Sequence, residues 1–161
     1  MLPYANQMFL DILHEDGLVV TAKGLGLDDV FFSLLKVYSD PGNLVLVVGT
    51  NDEEEEYFIQ NLQKEPDIKA QPKKVTAENS ASERQQIYLN GGVLFITTRI
   101  LVVEMLTERI PMNLITGILV YKAHKTVSTC QEAFIIRLFR EKNKKGFIKA
   151  WTSQLLDREL Q

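Results

Sequence analysis

The chain has 161 residues, with 18 Lys and Arg against 21 Asp and Glu, a formal charge of −3, and 45% hydrophobic residues. That balance excludes low-complexity disorder and suits one domain with a sizeable core. Cys130 is the only cysteine, which excludes an intrachain disulfide scaffold and fits a reducing compartment. Residues 1–16 lack the basic start and apolar run of a secretory signal. No stretch reaches the ~18–20 apolar residues that span a bilayer.

In chain order the pattern alternates. Leu18-Val19-Val20 is a short β-branched run that leads to Gly24-Leu25-Gly26. The spacing of Val30, Phe31, Leu34, Leu35 and Tyr38 predicts a helix over 28–38, with Asp28 or Asp29 as N-cap. After the turn residues Asp40-Pro41-Gly42-Asn43 comes an unbroken apolar run at 44–48, the mark of a parallel strand buried on both faces. A helix over 52–64 opens on five acidic residues, which suit the positive end of its dipole. A short strand is expected near Val75, then a helix from Ser80 or Ser82 to about Leu89, stopped by Asn90-Gly91-Gly92.

Residues 93–96 read as a strand, Thr97-Thr98 as a cap, and 99–106 as a short apolar helix that ends before Ile110-Pro111. Residues 118–121 form another buried strand. Ser128, with Gln131 three positions on, forms a capping box for a helix reaching about Asn143. A last strand covers 147–151, and 153–161 is a polar tail. Strands alternating with helices of this length predict an α/β fold with a parallel sheet of about six strands and helices on both faces.

Ligands of such sheets bind beyond the carboxyl ends of the strands. The segment 21–28 sits where a phosphate-binding loop belongs. A working loop needs a glycine, four residues, then Gly-Lys-Ser/Thr. Thr21 stands for the first glycine and Gly26 for the second, Gly24 lying between them, while Leu27 and Asp28 replace the lysine and the hydroxyl. The ammonium for the outer phosphates and the magnesium-holding hydroxyl are both missing. A carboxylate stands where the anion should land, and like charges at ~4 Å repel by ~4 kcal/mol at an effective dielectric near 20. The plain reading is that Gly24 and Gly26 only make a tight turn.

The second place is Tyr121-Lys122-Ala123-His124. An ATP-driven motor needs carboxylates here for magnesium and water, as in Asp-Glu-Ala-His. The chain keeps Ala123 and His124 but puts Tyr121 and Lys122 where the acids belong. Two separate hydrolysis elements are therefore defective together.

The third place is Thr97-Thr98-Arg99. Thr98 and Arg99 at a helix N-terminus could bind a nucleic-acid phosphate, or Thr98 is simply an N-cap beside a solvated Arg99. A basic set follows in Arg137, Arg140, Lys142, Lys144, Lys145 and Lys149, interrupted by Glu141. Beside Lys122 and Lys125 it could track phosphates; otherwise it is a solvated helix end. Charge is uneven along the chain: residues 1–90 hold 7 basic and 15 acidic side chains, and residues 91–161 hold 11 and 6. Phe147 and Trp151 read as core. His14 and His124 have no partners at metal-ligand spacing. Cys130 reads as inert core beside Phe134. No nucleophile elbow supports acyl chemistry.

Longer strings carry a resemblance. They include Asp16-Gly17-Leu18-Val19-Val20, Lys23-Gly24-Leu25-Gly26, Glu55-Glu56-Tyr57-Phe58-Ile59, Arg99-Ile100-Leu101-Val102-Val103 and Arg109-Ile110-Pro111. Others are Leu114-Ile115-Thr116-Gly117-Ile118-Leu119-Val120-Tyr121, Cys130-Gln131-Glu132-Ala133-Phe134-Ile135, Arg137-Leu138-Phe139-Arg140 and Gly146-Phe147-Ile148-Lys149-Ala150. With them the chain resembles the N-terminal helicase-like region of the xeroderma pigmentosum group F (XPF) family of DNA repair endonucleases.

The resemblance implies a degenerate RecA-like (P-loop NTPase-type) lobe over 1–152, with the tail at 153–161 departing from the family pattern. It implies a nuclear endonuclease subunit of nucleotide excision and interstrand cross-link repair, acting at single-strand/duplex junctions in DNA. It also implies a smaller non-catalytic partner bound through a C-terminal region, and docking of repair scaffold proteins. The family's Glu-Arg-Lys nuclease signature is absent, since Glu83-Arg84-Gln85 does not match it, so its divalent metal is expected only in a nuclease domain outside this chain. No nucleotide cofactor and no membrane partner are expected. The alternatives are a pure protein-docking module without DNA affinity, and a residual ATPase that Leu27 and Asp28 disfavour.

Overall fold

A computed structural model describes residues 17–20, 27–121 and 127–152. The elements in chain order are β1 (Gly17–Val20), α1 (Leu27–Tyr38), β2 (Leu44–Val48), α2 (Asp52–Gln63), β3 (Lys73–Val75) and α3 (Ala81–Asn90). Then follow β4 (Gly92–Ile96), α4 (Thr98–Leu106), a 3-10 turn (Met112–Leu114), β5 (Gly117–Val120), α5 (Val127–Lys142) and β6 (Phe147–Thr152). Among the described residues the strands form one six-stranded sheet in the order β1-β6-β5-β2-β4-β3, and every pairing is parallel. Leu44 pairs with Gly92, Val45 with Gly117, and Gly117 with Phe147.

Alternation along β2 explains both the layers and the unbroken apolar run. Leu44, Leu46 and Val48 face a core shared with Leu94, Ile96, Ile118 and Val120, roofed by Tyr88 of α3, Leu101 and Met105 of α4, and Ile135 and Phe139 of α5. Val45 and Val47 face the other way, to a core of Val93, Phe95 and Leu119 covered by Val30, Phe31, Leu34 and Leu35 of α1 and by Phe58 and Leu62 of α2. A strand covered on both sides has no solvent face to mark with polar residues.

Local signals place the helix ends. Asn51 caps α2 and forms a capping box with Glu54, a device that the acidic run concealed. Ser80 and Glu83 do the same for α3. Gly91 ends α3 at φ 73°, where a Cβ would come within 2.4 Å of the Pro41 carbonyl oxygen, so no other residue fits.

Three expected caps are corrected. Asp28 and Asp29 lie inside the first turn of α1, which begins at Leu27, where their charge still suits the dipole. Thr97, rather than Thr98, caps α4, its hydroxyl accepting from the Ile100 N–H at 3.2 Å. Ser128 lies within α5, and Gln131 does not complete a capping box: its Oε1 accepts from the Thr98 hydroxyl at 2.7 Å. The predicted tail at 153–161 and the loops at 21–26 and 122–126 lie outside the described residues.

Candidate nucleotide and nucleic-acid sites

The sheet order sets the geometry of the carboxyl rim. β6 lies between β1 and β5, so the strand ends that would carry a phosphate loop and an acid motif are two strand spacings apart, about 10 Å. Gly24 and Gly26 lie outside the described residues, as do Lys122, Ala123, His124 and Lys125. Leu27 and Asp28 open α1.

Tyr121, read from the sequence as the first position of the acid motif, has its ring in the core. It is 4% exposed. Its ring lies 4.6 Å from that of Phe31 and 5.4 Å, edge-on, from that of Phe58, which stacks at 6.4 Å over Phe95. Its backbone N–H donates to the Val48 carbonyl at 2.9 Å. The Tyr121 ring therefore anchors α1 and α2 to the sheet. Aromatic pairs in such tilted arrangements add about 0.5–1.5 kcal/mol each beyond the area they bury.

Lys149, grouped with the basic run by its place in the sequence, is 2% exposed within β6. It pairs by register with Gly17 on one side and Leu119 on the other, and its ammonium stands 5.3 Å from the Phe147 ring centroid. It belongs to the sheet and not to a surface cluster. Phe147 packs against the α1–α2 core and the Tyr38 ring, as expected. The side chains of Trp151 and Cys130 lie outside the described residues.

Thr98 and Arg99 sit at the carboxyl end of β4, between β2 and β3 in the sheet. The Thr98 hydroxyl ties α4 to α5 through Gln131, while Arg99 is exposed. The connections on either side are acidic. After β2 come Asp52, Glu53, Glu54, Glu55 and Glu56; after β3 come Glu78 and Glu83. Glu55 is buried, accepts from the Thr50 hydroxyl at 2.8 Å and lies 3.8 Å from the Lys74 ammonium. Burial raises its carboxyl above the usual range, against the lowering pull of Thr50 and Lys74.

The basic set ends up at the other end of the molecule. α5 spans 16 residues, about 24 Å at 1.5 Å per residue. It runs from the carboxyl rim down to the amino ends of the strands, so Lys142, Lys144 and Lys145 lie far from Thr98 and Arg99. Whether the set stands beside Lys122 and Lys125 lies outside the described residues. Within the set, Arg140 donates to the Gly146 carbonyl at 2.6 Å, and Lys142 pairs with Glu108, whose carboxyl it lowers. Arg137, Lys144 and Lys145 are exposed.

Two devices escaped sequence reasoning. Glu104, in the apolar run of α4, is fully buried. Its Oε1 accepts from the Tyr88 hydroxyl at 2.7 Å, and its Oε2 lies 3.5 Å from Arg84 and 3.9 Å from Arg109. Burial first, then that hydrogen bond, push the Tyr88 hydroxyl up. The one signal was a lone carboxylate among Ile100, Leu101, Val102, Val103 and Met105. The second is Asn143, whose amide donates to the Met112 and Ile115 carbonyls and whose oxygen accepts from the N–H groups of Lys145 and Gly146. Among the described residues no group of three His, Cys, Asp or Glu could hold a metal ion, and no helix is long and apolar enough to cross a membrane.

No family model matches the chain. Relatives are found by direct comparison. The DNA repair endonuclease XPF of Cricetulus griseus is 52% identical over 152 residues, 94% of this chain and 16% of that protein. That of Drosophila melanogaster is 52% identical over 154 residues, 95% of this chain and 15% of that protein. The chain thus spans about a sixth of the length of these relatives. Among solved structures, the helicase domain of Pyrococcus furiosus Hef superposes with a TM-score of 0.75 at 19% identity, over 94% of this chain and 33% of that one. A DEAD box protein from Methanococcus jannaschii gives a TM-score of 0.72 at 11% identity, over 97% of this chain and 43% of its own. The fold is that of a helicase RecA-like lobe, as the sequence resemblance implied.

Proposed function

We propose that this chain, homologous along nearly its whole length to the N-terminal region of the XPF DNA repair endonucleases, is a pseudo-ATPase lobe that binds DNA for a nuclease centre lying outside it. The observation that carries the reading is Tyr121. The position that would hold magnesium or activate water is occupied by a ring packed against Phe31 and Phe58. With Leu27 and Asp28 opening α1, neither half of a hydrolytic site has its chemistry. No nucleotide cofactor is needed, and the divalent metal of the nuclease step belongs elsewhere in the parent protein.

The setting that follows is nuclear repair of bulky lesions and interstrand cross-links, acting at junctions between duplex and single-stranded DNA. A smaller non-catalytic subunit would join through a region outside this chain. A forked duplex and a plain duplex titrated with the chain across salt test the reading. Preferential, salt-sensitive binding of the fork supports it, and no binding of either at low salt overturns it.

A second reading, docking of repair scaffold proteins, is favoured by Val103, Leu106 and Leu114, apolar side chains that are 46%, 56% and 55% exposed. Such exposure on and just beyond one short helix is what a protein interface uses. Retention of a scaffold by the native chain, and its loss with Val103→Glu, would separate this role from DNA binding.

A further inference from the structure

We infer that the lobe presents DNA with the amino end of its sheet, at the turn joining α5 to β6, and not with the carboxyl rim where Arg99 stands. The inference rests on the DNA-binding reading above and assigns its surface.

The rim argument is electrostatic. Arg99 lies at the end of β4 with β2 and β3 on its two sides. The connections after those strands carry Asp52, Glu53, Glu54, Glu56, Glu78 and Glu83. The cations among them are engaged: Lys74 lies 3.8 Å from Glu55 and 3.7 Å from Glu56, and Arg84 reaches Glu104 and donates to the Thr76 carbonyl. Neighbouring strand ends are about 4.8 Å apart, inside the ~8 Å Debye length of physiological salt. A phosphate on Arg99 would therefore meet strand connections that carry acidic residues on both sides.

The amino end is built the opposite way. Asn143, 6% exposed, fixes the turn with all four of its hydrogen bonds: to the Met112 and Ile115 carbonyls at 2.8 and 2.9 Å, and from the Lys145 and Gly146 N–H groups at 3.0 and 2.7 Å. Arg140 adds a bond to the Gly146 carbonyl at 2.6 Å. Gly146 is required, because a Cβ there would lie 2.6 Å from the Phe139 ring and 3.0 Å from the Ile115 carbonyl oxygen.

The two lysines on this turn are both exposed and stand on a backbone already ordered, so binding a polyanion there avoids the cost of fixing a frayed helix end. Arg137 is exposed one turn and a half above. Glu108 is neutralised by Lys142, and Glu141 is the remaining carboxylate on this part of α5. Arg140, donating to the Gly146 carbonyl, also places a cation at the carbonyl end of α5, which alone would repel phosphate.

The test uses a forked DNA duplex with the whole chain, its affinity followed by fluorescence anisotropy across salt. The K144E/K145E pair is compared with R99E and with K64E/K69E, which changes net charge equally at exposed positions at the same end of the sheet but toward its β3 edge. K144Q/K145Q gives the neutral counterpart, and thermal unfolding confirms that each variant is folded. The expected result is a loss of about tenfold or more for K144E/K145E at fixed salt, with the salt slope reduced by about two, near one per lost phosphate contact. R99E and K64E/K69E should lose no more than about threefold, and K144Q/K145Q should fall between. If R99E abolishes binding while K144E/K145E leaves it intact, the assigned surface is wrong and the DNA-binding reading stands. Equal losses for K64E/K69E and K144E/K145E also overturn it, since the α5–β6 turn would then have no special part in binding. If the native chain binds no DNA at any salt, the reading beneath it fails instead.

Discussion

At Tyr121 a hydrolytic enzyme needs a carboxylate beside the phosphates, yet the ring lies between Phe31 and Phe58 under α1 and α2. Restoring the acid should therefore cost stability without restoring chemistry. Tyr121→Asp removes a buried aromatic, worth about 3–5 kcal/mol in such sites, and puts a carboxylate in its place. Urea unfolding should show the loss, and the same variant should release no phosphate from ATP; a stable variant with turnover would contradict the packing argument. Glu132 makes a second test at this scale. It is 8% exposed, its Oε1 has no hydrogen-bond partner, and burial pushes its carboxyl up to about 7 from 4.5. The folded state thus keeps a proton that the unfolded chain sheds near 4.5, so stability falls as pH rises from there to about 7 and is flat beyond. Glu132→Gln should therefore stabilise the protein by up to about 3 kcal/mol near pH 8 and by little near pH 4. Parallel urea midpoints for the two proteins across that range would refute the burial argument.

Among elements, the strands and helices were legible because each has a local cause. The apolar run Leu44–Val48 reads as a two-sided buried strand and is one, and Ser80, one of two serines expected to start α3, is its cap. Where two hydroxyls adjoin, as at Thr97 and Thr98, the pattern does not say which caps. The answer comes from tertiary contact, since Gln131 on α5 takes the second hydroxyl. The turn at Asn143 was invisible because its partners, Met112 and Ile115, lie 31 and 28 residues away. Asn143→Ala would leave several buried backbone groups unpaired, at about 1–3 kcal/mol each. It should lower stability by about 3 kcal/mol or more and weaken DNA binding along with the turn. Unchanged stability in urea would show that the turn holds itself.

At the scale of the whole molecule, charge among the described residues is uneven. Acidic residues gather at the start of α2 and in the β3–α3 connection, basic residues at the end of α5, and helix dipoles favour both placements. The candidate sites were legible as residues but not as a place. Thr98 with Arg99, and Lys144 with Lys145, fall on opposite ends because a helix of 16 residues separates them, a distance that composition and spacing do not report. On the proposed reading, this is a lobe whose rim carries acidic neighbours in place of magnesium and phosphate ligands. The most direct test is calorimetric titration of the chain with magnesium and ATP. The account predicts no binding heat and no phosphate release. Saturable one-to-one binding with turnover would contradict it.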